Sequence, residues 1–187
     1  MFEIKEEKIK RYVVFSIAGF VMSVVLYTWN NLLITQSPID LQRLLAMAIT
    51  FDPKIALDFF EYLAANGFQR NETLTLIINI LFLCSYGLLY WNFYRVIALN
   101  KVIARPLAVI APWAQKIGLL LALVDLIKTV ILIYMVYFYK SMPTGVILLH
   151  STTTYIVMPL YTLMLLWFFI NCLFLGIGYL MKRTKTV

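Results

Sequence analysis

Four long apolar stretches, separated by polar and charged segments, dominate the pattern of the chain. Each is long enough for an α-helix to cross the hydrocarbon core of a bilayer, which takes about 20 residues. The predicted spans cover residues 12–34, 73–99, 117–139 and 152–181. Pro159 lies in the fourth span, and we expect it to kink that helix or to mark its start. The pattern therefore predicts an all-α polytopic membrane protein, a single domain over 1–187 that forms a four-transmembrane-helix bundle.

Residues 37–67, between the first two spans, show a different pattern. Ser37-Pro38 and Asp52-Pro53 each combine an N-cap residue with Pro at the first helical position, and Gly67 suits a helix end. Apolar residues that share a helical face are Leu41, Leu44, Leu45 and Ala48 in the first half, and Ile55, Phe59, Tyr62 and Leu63 in the second. This segment predicts a short two-helix extracytoplasmic cap, which either covers the bundle or acts as a lid or docking surface.

Composition supports a lipid environment. Hydrophobic residues make up 63% of the chain and charged residues 13%, against about 25% charged in soluble domains. A water-soluble fold could not bury so much apolar surface. The net charge is +7, but the basic residues do not form a contiguous run. We therefore expect membrane lipids rather than nucleic acid as partners.

The positions of Lys and Arg predict the orientation. Eleven lie in the N-terminal tail, in the loop between the second and third spans, and in the C-terminal tail: Lys5, Lys8, Lys10, Arg11, Arg95, Lys101, Arg105, Lys116, Lys182, Arg183 and Lys185. Four lie on the other side: Arg43, Lys54, Arg70 and Lys140. By the positive-inside rule both termini are cytoplasmic, and we expect a multi-pass protein of a bacterial inner membrane.

An ionisable pair interrupts the third span. Asp125 and Lys128 are three residues apart, so they share a helix face and can neutralise each other. Helical rise places Asp125, Ser85 and Asn171 at similar heights, about 14, 15 and 16 Å from the inner boundary. The sequence thus predicts an intramembrane polar cluster of Asp125, Lys128, Asn171 and Ser85. Three roles are open for this cluster. Its side chains form hydrogen bonds between the helices, they line a polar cavity for ions, protons or a headgroup, or Asp125 or Lys128 pairs with another subunit.

Small residues line one side of the first span. Ser16, Gly19 and Ser23 form a strip along the predicted helix. Such strips permit close approach of a neighbouring helix in a membrane.

Catalytic and metal-binding patterns are weak. Cys84 and Cys172 both fall within spans without a C-x-x-C motif, and His150 is the single histidine, so we expect no metal and no cofactor. The run Ser151–Thr154 is expected to cap the fourth span. Candidate functional residues on the outer cap surface are Asp40, Asp58, Glu61 and His150.

Several short segments resemble a poorly characterised group of small bacterial four-span integral membrane proteins. They are Ser37-Pro38-Ile39-Asp40-Leu41-Gln42, the 52–67 helix, Tyr86-Gly87-Leu88 and Asp125-Leu126. The resemblance implies a four-helix bundle and no particular activity. That group often has an acid in the second span and an acid-Asn pair after the third-span Asp, where this chain has Asn79 and Lys128-Thr129.

Three functions are compatible with these patterns. The first is a non-enzymatic membrane protein, either a subunit of a larger assembly or a small bundle that binds lipid or another apolar ligand. The second is an oligomeric ion- or proton-coupled transporter that uses Asp125 and Lys128. The third is a lipid-modifying enzyme, with His150 near Asp40 or Glu61. We favour the first, with membrane lipids and a protein partner or homo-oligomer as its partners.

Overall fold

Six α-helices and one short 3-10 helix make up most of the part of the chain that the structure describes. The computed structural model describes residues 2–99, 105–141 and 143–184; Lys101 and Lys185, used above to predict orientation, lie outside these ranges. The helices are α1 (Phe2–Gln36), α2 (Leu41–Ile49), α3 (Pro53–Ala65), α4 (Gln69–Leu99), α5 (Arg105–Phe138) and α6 (Thr144–Thr184), with the 3-10 helix at Tyr139–Ser141.

Four of these helices are long and apolar enough to cross a membrane, which confirms the prediction of four such helices in an all-helical fold. The candidate spans are Glu7–Gln36, Gln69–Leu99, Val109–Ser141 and Thr144–Ile177. Each contains most of one predicted span and begins before it, because a helix continues past the residues whose hydropathy marks it. The four spans are joined in the order α1, α4, α5 and α6, and each packs along the next.

The start of α6 differs from the prediction. The helix begins at Thr144, eight residues before the predicted span, and Pro159 lies inside it rather than at its start. The polar run from Ser151 does not cap the helix, because its hydroxyls bond to carbonyls of the preceding turn. Ser151 Oγ donates to the Ile147 carbonyl at 3.1 Å, and Thr153 Oγ1 to the Leu149 carbonyl at 2.6 Å.

The small-residue strip of α1 faces α4. Ser16 and Ser23 are buried, and a Cβ atom at Gly19 would stand 3.0 Å from the backbone nitrogen of Leu89 and 3.2 Å from the carbonyl oxygen of Ser85. The absence of a side chain at Gly19 therefore lets the two helix backbones approach closely.

A row of tyrosines on α4 fills the space between α4 and α6. Tyr86, Tyr90 and Tyr94 recur every four residues and are buried. The ring centroids of Tyr86 and Tyr161 are 5.3 Å apart, and those of Phe93 and Phe168 are 4.5 Å apart. These large rings hold the two helices together through side chains.

Helices α2 and α3 form a hairpin whose ends follow partly from local sequence. Asp52 accepts a hydrogen bond from the Lys54 nitrogen at 2.9 Å, and Gly67 has φ of 70° after α3, as predicted. The prediction for Ser37-Pro38 is wrong: α2 begins only at Leu41, and Asp40 is its N-cap, accepting from the Gln42 nitrogen at 2.9 Å.

The hairpin packs against the ends of α4, α5 and α6. One buried cluster contains Met47, Ala56, Phe59, Phe60 and Leu63 together with Leu76, Leu132, Met135, Val136 and Ile147. Of the two apolar faces described from the sequence, Phe59 and Leu63 are buried, whereas Leu41, Leu45 and Ile55 are exposed. The stripe that α3 buries runs along Ala56, Phe59, Phe60 and Leu63, because the supporting helices lie on that side.

Candidate functional site

The ion pair predicted in the third span forms within α5. Lys128 Nζ lies 2.6 Å from Asp125 Oδ1, and the two side chains are 19% and 13% exposed. Thr129 Oγ1 donates to the Asp125 carbonyl at 2.8 Å and accepts from Asn79 Nδ2 of α4 at 3.2 Å. Pairing offsets the cost of placing these charges in an apolar environment.

The other two members of the predicted polar cluster lie elsewhere. The Ser85 hydroxyl is 2.9 Å from that of Ser23 on α1, and Asn171 Nδ2 donates to the Trp167 carbonyl of its own helix at 2.7 Å. Neither residue shares a hydrogen bond with Asp125 or Lys128 within the described ranges. Helical rise predicts the height of a residue but not the direction in which its side chain points.

A cleft of about 510 Å³ opens beside Asp125. Its walls come from α1, α4 and α6, with Asp125 contributed by α5: Phe20, Ser23, Val24, Tyr27, Phe82, Tyr86, Leu89, Tyr90, Tyr161, Thr162, Leu165, Phe168 and Phe169. Val24 of α1 and Leu165 of α6 are both exposed at its edges. Helix α1 packs along α4, and helix α6 packs along α5. The cleft therefore opens sideways, between α1 and α6 and across the direction of the helix axes.

Several hydroxyl groups at this cleft have unused hydrogen-bonding capacity. The hydroxyl oxygens of Tyr86, Tyr90 and Tyr161 are buried and make no hydrogen bond of regular geometry with the described residues, although the Tyr86 and Tyr90 side chains lie close enough to interact with each other. The spacing of four between Tyr86 and Tyr90 indicated a shared helix face, yet the sequence analysis did not single it out. The contribution of α6 was not visible in the sequence, since Tyr161 is distant along the chain.

Three of the four candidates assigned to the cap surface are exposed. Asp40, Asp58 and Glu61 face outward, and Asp40 Oδ2 lies 3.6 Å from Arg43 Nε. His150 instead is 5% exposed and lies within α6, which begins before the predicted span. Among the described residues, His150 forms no ion pair with Asp40 or Glu61, so a His–carboxylate catalytic pair receives no support.

A second buried carboxylate was missed by the sequence analysis. Glu72 in the first turn of α4 is buried and lines a cavity of about 10 Å³ with Ser37 and Thr75. Its spacing of four from Leu76, which is also buried, was the available signal that it faces inward.

Metal-binding side chains do not converge. In residues 2–99, 105–141 and 143–184, no group of three or more His, Cys, Asp or Glu side chains could hold a metal ion. Cys84 is exposed and Cys172 is half-buried, and both are free thiols.

Comparisons with protein-family models, with curated proteins and with solved structures give no match.

Proposed function

We propose that this protein is a non-enzymatic integral membrane protein that holds a lipid chain or another apolar ligand in the cleft between α1 and α6. The observation that carries the proposal is the cleft itself. Its volume of about 510 Å³ falls in the usual range for ligand pockets, roughly 300–1,000 Å³. Its lining is apolar apart from a few polar groups, as in most small-molecule sites.

The sideways opening supports a ligand that comes from the membrane. Phe20 and Val24 on one edge and Leu165 and Phe169 on the other are exposed, and each belongs to a candidate span. If the four spans cross a bilayer, this opening faces the acyl chains. A lipid could then enter without passing through water, whose contact with its chain is unfavourable.

The proposed orientation has both termini in the cytoplasm and the α2–α3 hairpin on the outer side. It is supported by the excess of Lys and Arg at the ends of the chain and in the α4–α5 loop. In this orientation the hairpin is the extracytoplasmic cap.

Photolabelling tests the ligand-binding proposal. The purified protein in lipid nanodiscs is titrated with a long-chain alkane that carries a diazirine, irradiated, and digested for peptide mapping. We expect saturable labelling of peptides that contain cleft residues. Val24→Trp fills the edge of the cleft and should abolish the saturable component.

Val25→Trp is the matched control for that experiment. Val25 is exposed on the same helix but does not line the cleft, so its replacement should leave saturable labelling unchanged. Labelling that never saturates, or that Val24→Trp and Val25→Trp reduce equally, contradicts the proposal.

The transporter hypothesis has one observation in its favour, the position of Asp125 at both the ion pair and the cleft. A carrier must expose its site to each side of the membrane in turn, whereas this cleft opens sideways. The flux of ions or protons into proteoliposomes that contain the protein tests the hypothesis. Asp125→Asn and Lys128→Met should abolish it, and unchanged flux in both variants excludes this role.

A further inference from the structure

We propose that the ligand of the cleft is a neutral amphiphile, with one hydroxyl or carbonyl group bound by Tyr86 and Tyr161 beside Asp125. This inference rests on the proposed ligand-binding function and names the chemical class of the ligand. The remainder of such a molecule would be an apolar chain that lies against Phe20, Leu165 and the other apolar residues of the cleft.

The first argument is the unused hydrogen-bonding capacity of the tyrosines. Tyr86 and Tyr90 are more than nine-tenths buried, and their hydroxyls, like that of Tyr161, make no hydrogen bond of regular geometry with the residues described. Even if the neighbouring Tyr86 and Tyr90 hydroxyls bond to each other, the pair keeps one donor and at least one acceptor unused, and Tyr161 keeps both. A buried hydroxyl without a partner costs free energy, and buried polar groups in native proteins are nearly always satisfied. A ligand group within the cleft would satisfy them once a small rotation of the Tyr86 or Tyr161 ring turns its hydroxyl toward the cleft.

Two other hydroxyls of the cleft, those of Ser23 and Thr162, are already engaged. Ser23 Oγ donates to the Gly19 carbonyl at 2.8 Å and lies 2.9 Å from Ser85 Oγ. Thr162 Oγ1 donates to the Met158 carbonyl at 3.2 Å. The buried polar atoms left for a ligand are therefore concentrated where the Tyr86 and Tyr161 rings meet, with their centroids 5.3 Å apart.

The second argument concerns charge. Asp125 lines the cleft, whereas its partner Lys128 does not. An anionic headgroup would meet the Asp125 carboxylate first and would be repelled. A cationic headgroup would compete with Lys128 for the same carboxylate and bring two cations together. A neutral group can donate a hydrogen bond to the Asp125 carboxylate or to a tyrosine oxygen, or accept one from a tyrosine hydroxyl. Such a group is not repelled by Asp125 and does not compete with Lys128.

The test compares four diazirine probes of equal chain length: an alcohol, an alkane, an alkyl sulfate and an alkyltrimethylammonium. Saturable labelling of the cleft peptides is measured for the wild-type protein in nanodiscs. One additional hydrogen bond should lower the half-saturating concentration of the alcohol about tenfold relative to the alkane. The sulfate and the ammonium should bind no better than the alkane.

Two tyrosine variants locate the hydrogen bond. Tyr86→Phe should raise the half-saturating concentration of the alcohol about tenfold and leave that of the alkane unchanged. Tyr94→Phe is the matched control, since Tyr94 is equally buried and its hydroxyl also lacks a partner, but it does not line the cleft. It should change neither value.

The outcomes separate this inference from the proposed function. If the alkane labels the cleft saturably but the alcohol binds no better, or Tyr86→Phe has no effect, the neutral-amphiphile inference fails and ligand binding stands. Preferred binding of the sulfate or the ammonium also overturns the inference. If no probe labels the cleft saturably, the proposed function fails and the inference fails with it.

Discussion

The hydroxyl oxygens of Ser23 and Ser85 lie 2.9 Å apart and join α1 to α4 inside the apolar part of the protein. This contact depends on the close approach of the two helices at Gly19, one turn away from Ser23 on α1. Because α1 packs chiefly on α4, the position of this contact also sets one wall of the cleft.

Replacement of Gly19 by Ala should destabilise the protein. Its Cβ atom would stand 3.0–3.2 Å from backbone atoms of α4, so the helices must separate, at a cost of about 1–3 kcal/mol. The midpoint of thermal unfolding in detergent measures the effect. Gly176→Ala is the control, because a Cβ atom there has no neighbour within 4 Å. It should be neutral or slightly stabilising through helix propensity. Equal midpoints for both variants would contradict the close packing of α1 on α4.

Removal of one partner of the Asp125–Lys128 pair should cost more than removal of both. Lys128→Met leaves the largely buried Asp125 carboxylate uncompensated, and we expect a loss on the order of 3 kcal/mol. The double variant Asp125→Asn/Lys128→Met should recover most of it. Thermal unfolding of the two single variants and the double variant gives the coupling energy. Additive losses would show that the pair is not coupled.

The exposed pair Arg11–Glu7 is the control for that cycle. Its nitrogen and oxygen are 2.7 Å apart, but its side chains are 71% and 66% exposed. Surface pairs contribute little to stability, so Arg11→Met should not measurably change the unfolding midpoint.

His150 should be protected from chemical modification in the folded protein. It is the single histidine of the chain and is buried in α6, so diethyl pyrocarbonate should modify it much more slowly before denaturation in dodecyl sulfate than after it. Mass spectrometry measures both rates. In Glu61→His the new histidine lies on the exposed side of α3 and should react rapidly in the folded state. Rapid modification of His150 in the native protein would contradict its burial.

The proposed orientation predicts the side on which single cysteines react. In a background without Cys84 and Cys172, Asp58→Cys on the α2–α3 hairpin should react with a membrane-impermeant maleimide in intact cells. Lys8→Cys near the N-terminus should react only after permeabilisation. Gel mobility shift measures both. The opposite pattern would reverse the orientation, and reaction of both cysteines in intact cells would exclude the single crossing by α1 between them.

The sequence by itself determined the elements whose signals are local. Four apolar stretches predicted the four long helices, Asp52-Pro53 and Gly67 predicted the two ends of α3, and Ser16, Gly19 and Ser23 predicted a close helix contact. Capping, turns and small-residue packing involve residues near one another in the chain, so their patterns can be recognised without the fold.

Only the tertiary structure decided which faces of the long helices meet. It placed Ser85 against α1, left Asn171 bonded to its own helix, buried His150 and brought Tyr161 to Tyr86 beside Asp125. In these helices the side that faces a neighbour and the side that faces outward are both apolar, so the pattern of hydrophobic residues does not distinguish them. The cleft lies between α1 and α6, and its walls are positioned by contacts between residues far apart in the chain, such as Ser23 with Ser85 and Tyr86 with Tyr161.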